Sequence, residues 1–85
     1  MYYVYILKSL KDKKLYIGYT SNLFQRVKEH NSSKNKSTKY RVPFKLVYYE
    51  AYQSQLDANK RESNLKLRAK ASIQLFRRIR NSLAS

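Results

Sequence analysis

The chain has no cysteine, a single glycine, a single histidine and only five acidic residues. Each scarcity removes a class of chemistry. Without cysteine there is neither a disulfide frame nor a thiolate zinc site, a composition compatible with a reducing compartment. One glycine cannot build the Gly-rich loop that cradles nucleotide phosphates. One histidine, His30, cannot form a histidine metal cluster. The carboxylates are few and none is paired at helical spacing, which leaves too few ligands for hydrolysis at two metals. No serine nucleophile motif occurs. No apolar run approaches the ~20 residues that cross a bilayer. The apolar start, Met1 to Leu7, is too short and has no basic region before it or small-residue cleavage site after it. It is therefore not read as a signal peptide, and an intracellular, cytoplasmic protein is expected.

What is present is positive charge and tyrosine. Nineteen Lys and Arg oppose five Asp and Glu, a net +14 over 85 residues, and there are nine tyrosines. So large an excess opposes folding by self-repulsion. Its expected partner is a polyanion, because basic side chains on phosphates release condensed counterions. An anionic membrane surface and a merely solvated surface are the rival readings. The length allows one domain, 1–85, with a modest core; 69–85 reads as a basic C-terminal helix or tail.

Tyr2 to Lys8 is rich in β-branched and aromatic residues and reads as a strand. Leu15 to Thr20 reads as a second strand after the polar turn Lys11-Asp12-Lys13-Lys14, so the pair forms a hairpin. Val4 and Ile6 share one face of the first strand, and Leu15 and Ile17 share one face of the second. If like pairs with like, the aliphatics form one face; Tyr3, Tyr5, Tyr16 and Gly18 form the other. Thr20-Ser21-Asn22 caps a helix that carries Leu23, Arg26, Val27 and His30 and ends near Asn31. Ser32 to Arg41 reads as a basic loop. Pro43 opens a third strand, Phe44 to Tyr52. Ser54-Gln55-Leu56-Asp57 resembles a capping box, opening a helix with Ala58, Glu62, Leu65 and Ala69 on one stripe. Ala71 to Leu83 reads as one amphipathic segment with Ile73, Phe76 and Ile79 on its apolar side, the alternative being that it lies on a bilayer.

Several of these residues can do chemistry. Glu62 is either the partner of Lys66 one turn on, or a hard oxygen ligand for Mg²⁺, which often takes one or two protein carboxylates. Arg26 and His30 share a helix face. They are either solvated, or a guanidinium fork for phosphoryl charge beside an imidazole that moves protons. Tyr5 and Tyr16 either pack in the sheet or act at a site. A phenol, with a pKa near ~10, is a poor base at neutral pH unless adjacent cations lower it. Tyr40, among cations, can stack on bases.

Taken in order, these residues resemble the GIY-YIG nuclease family. Tyr3-Val4-Tyr5 stands at the first triplet, with Tyr3 in place of its glycine, and Tyr16-Ile17-Gly18 matches the second. Arg26, His30 and the Glu62 of Lys60-Arg61-Glu62 follow. The resemblance runs from about Tyr2 to Leu67 and extends to Ser37-Thr38-Lys39-Tyr40 and Leu46-Val47-Tyr48-Tyr49-Glu50. The supporting asparagine of many members has no counterpart here, Asn64 being too near and Asn81 lying in the tail. The resemblance implies an α+β fold: a small three-stranded antiparallel sheet flanked by about three helices. It implies a metal-dependent endonuclease acting on DNA, branched or damaged, in repair or recombination, with Glu62 holding one Mg²⁺ or Mn²⁺. Tyr5 would then be the base, Tyr16 a phosphate or water contact, Arg26 the stabiliser of phosphorus-centred charge and His30 a support for proton traffic. Lys34, Lys36, Lys39, Tyr40, Arg41, Arg77, Arg78 and Arg80 are the expected nucleic-acid contacts, which position without reading sequence. The rival is a module on the same fold that binds DNA or RNA without cutting, targeted by a protein partner or not.

Overall fold

A computed structural model describes residues 1–32, 36 and 38–84. Its elements run β1 (Tyr2–Ser9), β2 (Leu15–Thr20), α1 (Leu23–Asn31), β3 (Phe44–Tyr52), α2 (Gln55–Leu67), α3 (Ala69–Arg78) and α4 (Arg80–Ala84). The three strands form one antiparallel sheet in the order β2-β1-β3. The expected α+β class and three-stranded sheet are therefore present, with four helices among the described residues. No helix is long and apolar enough to cross a membrane among those residues.

The hairpin pairs like with like. Tyr5 faces Gly18, Ile6 faces Ile17 and Leu7 faces Tyr16. Successive residues alternate faces, so the sheet sorts its side chains into two sets. On one face Val4 and Ile6 form a core with Ala58 and Leu65 of α2 and Leu75 of α3, flanked by Ile79 and Leu83. On the other, Tyr5, Leu7 and Phe44 pack with Tyr16, Leu23 and Val27. Both faces are thus covered: the tyrosine face lies under α1, and the aliphatic face under the three later helices. The central strand is consequently dark, with Val4, Tyr5, Ile6 and Leu7 each no more than 1% exposed. β3 carries one extra residue where the register slips between Ile6 and Leu7, leaving Val47 without an opposite number.

The caps fall where the polar residues lie. Asn22 Oδ1 accepts the Gln25 amide at 3.1 Å and Ser54 Oγ accepts the Asp57 amide at 3.4 Å. At the other end of α1, Asn31 clamps the start of β3. Its Nδ2 donates to the Phe44 carbonyl at 3.1 Å, and its Oδ1 accepts the Phe44 amide at 2.6 Å.

Two expectations are corrected. Ala69 does not continue the α2 stripe, because Arg68 takes extended dihedrals and ends the helix. That break resets the helical phase. α3 therefore turns Ala71, Leu75, Phe76 and Ile79 to the core and leaves Ile73 50% exposed. The segment Ala71 to Leu83 is also two helices, divided at Ile79.

One polar network staples α2 to β3. The Arg61 guanidinium donates to both oxygens of Glu50, Nε to Oε1 at 2.9 Å and Nη2 to Oε2 at 3.0 Å. The hydroxyls of Tyr48 and Tyr52 donate to the same carboxylate. Burial alone would raise the Glu50 pKa; Arg61 and the two phenols outweigh it and hold Glu50 below the ordinary carboxylate value. Replacing one partner of such a pair leaves a half-buried charge uncompensated. Arg61→Met is expected to cost about 2–3 kcal/mol at pH 7, read as a lower urea midpoint. The double variant Glu50→Gln/Arg61→Met should recover part of that loss.

Candidate active site

Tyr5 sits at the centre of β1, the middle strand, and its ring lies over Gly18 of β2. A Cβ built on Gly18 would stand 2.3 Å from both Cζ and Oη of Tyr5 and 2.9 Å from Cε1. No side chain fits there, so glycine is required by close approach. The phenol reaches α1, where Tyr5 Oη and His30 Nε2 are 3.0 Å apart. The other ring nitrogen, His30 Nδ1, is 2.8 Å from Thr38 Oγ1. Both His30 and Thr38 are fully buried. A neutral imidazole has one donor and one acceptor nitrogen, so the line Tyr5–His30–Thr38 runs in one direction at a time. Moving a proton along it reverses both hydrogen bonds.

Tyr16 completes an aromatic cage. Its ring centroid is 4.9 Å from His30, edge to face, and 6.4 Å from Tyr5. Phe44 closes the far side of His30 at 5.9 Å. Glu62 and Lys66 of α2 reach this cage past edge strand β2. Lys66 Nζ lies 6.0 Å from the Tyr16 ring centroid and 3.2 Å from Glu62 Oε2. Both readings of Glu62 therefore meet in one place: it pairs with Lys66, and it stands in the electrostatic field of Tyr5. Arg26 lies beside the Tyr5 hydroxyl and also pairs with Glu29, Nη1 to Oε1 at 3.3 Å.

Electrostatics correct one expectation. Burial pushes the Tyr5 phenol up to about 12, with Tyr16 and Glu62 adding to it, and the adjacent Arg26 recovers only part. Cations are near, yet desolvation wins. His30 is displaced below its ordinary value, first by burial and then by Arg26, so the imidazole is neutral at pH 7.

Five expected site residues thus come together: Tyr5, Tyr16, Arg26, His30 and Glu62. The expected nucleic-acid contacts are scattered. Lys34 lies outside the described residues. Lys36 is exposed, and Lys39 Nζ sits 4.8 Å over the ring of Tyr40, itself 74% exposed. Arg41 is engaged elsewhere: its Nε donates to Asp12 Oδ2 at 2.8 Å, holding Asp12 at about 2. Arg77, Arg78 and Arg80 are exposed on α3 and α4, which cover the aliphatic face and not the tyrosine face. Thr38 and Glu29 are partners to which the sequence reading gave no role. The first is fixed by a loop crossing and the second by an ordinary i, i+3 contact.

As to a metal, the described residues contain no group of three or more His, Cys, Asp or Glu that could hold one. Glu62, partly open with a side chain 22% exposed, offers a single hard oxygen donor. That fits Mg²⁺, which keeps waters and phosphate oxygens for most of its shell.

A family model described as the GIY-YIG catalytic domain matches residues 1–76. The chain belongs to the GIY-YIG nuclease family. A UPF0213 protein of Clostridium perfringens is 48% identical over 67 residues, covering 78% of this chain and 71% of that one. Another, from Staphylococcus haemolyticus, is 47% identical over 66 residues, covering 76% and 79%. Among solved structures, the solution NMR structure of a UPF0213 protein from Bacillus halodurans is similar, with a TM-score of 0.54 and 41% identity. That match covers 88% of this chain and 82% of the other.

Two outcomes follow from the cage. Gly18→Ala should destabilise by about 1–3 kcal/mol, the usual cost of overpacking, seen as an earlier denaturation midpoint. For His30 the folded value lies below the unfolded one, so the unfolded chain binds the proton first. Stability therefore rises with pH, is fully present above about 6.5 and is lost as pH falls from there towards the folded value. The thermal midpoint should decline between pH 7 and 5.5, and His30→Gln should flatten that slope.

Proposed function

We propose that this GIY-YIG chain is a Mg²⁺-dependent endonuclease that hydrolyses phosphodiester bonds in DNA. The observation that carries this reading is the convergence of Tyr5, Tyr16, Arg26, His30 and Glu62 from two strands and two helices on one aromatic cage. Glu62 would hold the ion, whose chemistry there is to neutralise charge on a phosphate oxygen.

The chain's own groups supply the rest. Arg26, with a third of its side chain exposed, presents a guanidinium fork where charge develops on the phosphoryl group. Tyr16 is half-buried and takes the water or phosphate contact at the mouth. Tyr5 is nearly closed to solvent, so a water meets it from the side of Tyr16 and Arg26.

A phenol held at about 12 is a poor phenolate, but it need not become one. With Tyr5 O–H donating to neutral His30 Nε2, the water's proton moves to the Tyr5 oxygen as the phenolic proton moves to His30. One water O–H bond breaks, one Tyr5 O–H bond is exchanged and one N–H bond forms on His30. The imidazolium so made keeps its Nδ1–H on Thr38. The hydroxide forms the new P–O bond as the ester P–O bond breaks, and the leaving oxygen takes a proton from solvent. The buried imidazolium, with its low proton affinity, returns its proton to the Tyr5 oxygen as Tyr5 releases its own to solvent, which restores the resting pair. Lys36, Lys39, Arg77, Arg78 and Arg80, with Lys34, give salt-dependent contacts to the DNA backbone, while Arg41 stays paired with Asp12.

The 3.2 Å pairing of Lys66 with Glu62 favours a second reading, a module that binds nucleic acid without cutting it. One experiment separates the two. Wild type, Arg26→Ala and Glu62→Ala are incubated with supercoiled, branched and single-stranded DNA, with Mg²⁺ or Mn²⁺. The nuclease reading expects each substitution to lower cleavage by about 10²–10³-fold. Cleavage that survives both substitutions equally sinks the site assignment. Salt-steep binding with a wild type no more active than Glu62→Ala establishes the binding module instead.

A further inference from the structure

Helix α1 has two flanks. Arg26 and Phe24 are two residues apart, which puts them roughly 160° apart around the helix. Arg26 turns to the catalytic cage. Phe24 turns to a groove of about 450 Å³ between α1 and the sheet, floored by Leu23 and Val27 and walled by Tyr3 and Tyr49. That volume lies within the range of small-molecule clefts.

Its lining is unusual for a surface. Phe24 is 76% exposed and Tyr49 53% exposed. Tyr3 meets Tyr49 edge to face with centroids 5.9 Å apart. Tyr3 is the residue that stands where the first triplet has its glycine, so the groove gains a ring at that position. Among the described residues, Lys28 is the sole charged side chain in the lining, its Nζ 5.5 Å from the Phe24 centroid, and no carboxylate lines the groove. Three rings with a cation and no anion match an occupant with a flat aromatic face and a negative charge beside it.

We propose that this groove receives an unpaired DNA base, stacked on Phe24 and Tyr49, with the adjoining phosphate on Lys28. The proposal deepens the nuclease reading and rests on DNA as the ligand. Every base has a π face, so stacking on exposed aromatics is tolerant of sequence. Net charge of +14 draws a polyanion to the surface, and Lys28 is placed to meet the backbone next to the base. A protein segment with an apolar anchor would fill the rings but leave Lys28 unanswered.

The test uses binding in EDTA, so that it does not depend on cleavage. The probes are a DNA duplex with one bulged 2-aminopurine and the same duplex with an abasic bulge, both read by anisotropy at fixed salt. Wild type should bind the base-bearing bulge ~10-fold more tightly and quench the 2-aminopurine. Phe24→Ala, Phe24→Leu and Tyr49→Ala should each remove most of that preference, the leucine variant showing that a ring and not mere apolar bulk is required. Lys28→Ala should weaken binding to both probes alike.

Equal affinity of wild type for the two bulges overturns the proposal. So does a preference that persists in the Phe24 and Tyr49 variants, or a concentration-dependent dimer that Phe24→Ala abolishes. A chain that discriminates the base yet never cuts refutes the nuclease reading and leaves the groove. A chain that cuts without discriminating refutes the groove and leaves the nuclease.

Discussion

The contact on which this molecule depends is the Tyr5 ring lying against a backbone with no side chain. Gly18 is the sole glycine, and it is placed where β2 must come closest to an aromatic ring of β1. That closeness lets the phenol project to α1 and find His30 instead of being turned aside. The imidazole in turn holds Thr38 by a buried hydrogen bond, so this polar residue is tied to the core. Strand, helix and loop are joined through a single tyrosine.

The two faces of the sheet solve the same problem by different means. Each buries polar groups, and each must satisfy them. On the tyrosine face the solution is a neutral relay, in which no member carries charge at rest. On the aliphatic face it is a charged one, in which Glu50 gathers Arg61, Tyr48 and Tyr52. In the neutral arrangement donor and acceptor roles follow the imidazole tautomer; in the charged one Arg61 and two phenols hold the carboxylate below its ordinary value. Glu62 follows Arg61 directly in α2, so the charged staple also fixes how the helix is rolled where Glu62 leaves it.

Much of this was legible in the chain. Alternation of tyrosine with aliphatics gave the hairpin and its two faces, because a strand repeats every two residues and the aliphatic set had to be buried together. Asn22 and Ser54 gave the helix starts, since their side chains serve amides that a helix leaves unpaired. The ordered set Tyr5, Tyr16, Arg26, His30 and Glu62 named side chains that the fold brings to one aromatic cage. What failed had a cause beyond local pattern. Ile73 and Leu75 are equally apolar, but Leu75 shares a helical stripe with Ala71, Phe76 and Ile79, and Ile73 lies off it. Whether burial or the neighbouring cations prevailed at Tyr5 depended on α1 sealing the tyrosine face, and the sequence offered abundant cations but no measure of desolvation. Thr38 and Arg41 owe their partners to a loop crossing, where no period constrains the chain.

Helix α1 also has a thickness. With its side chains it measures ~10–12 Å across, close to three steps of ~3.4 Å along one strand of B-form DNA. The cage holding Arg26 and the groove holding Phe24 lie on its two sides. A strand that touched both would have to straddle the helix, and the helix would act as a ruler set between the two contacts. Its calibration is held by the capping side chain of Asn22 at one end and the clamp of Asn31 on Phe44 at the other.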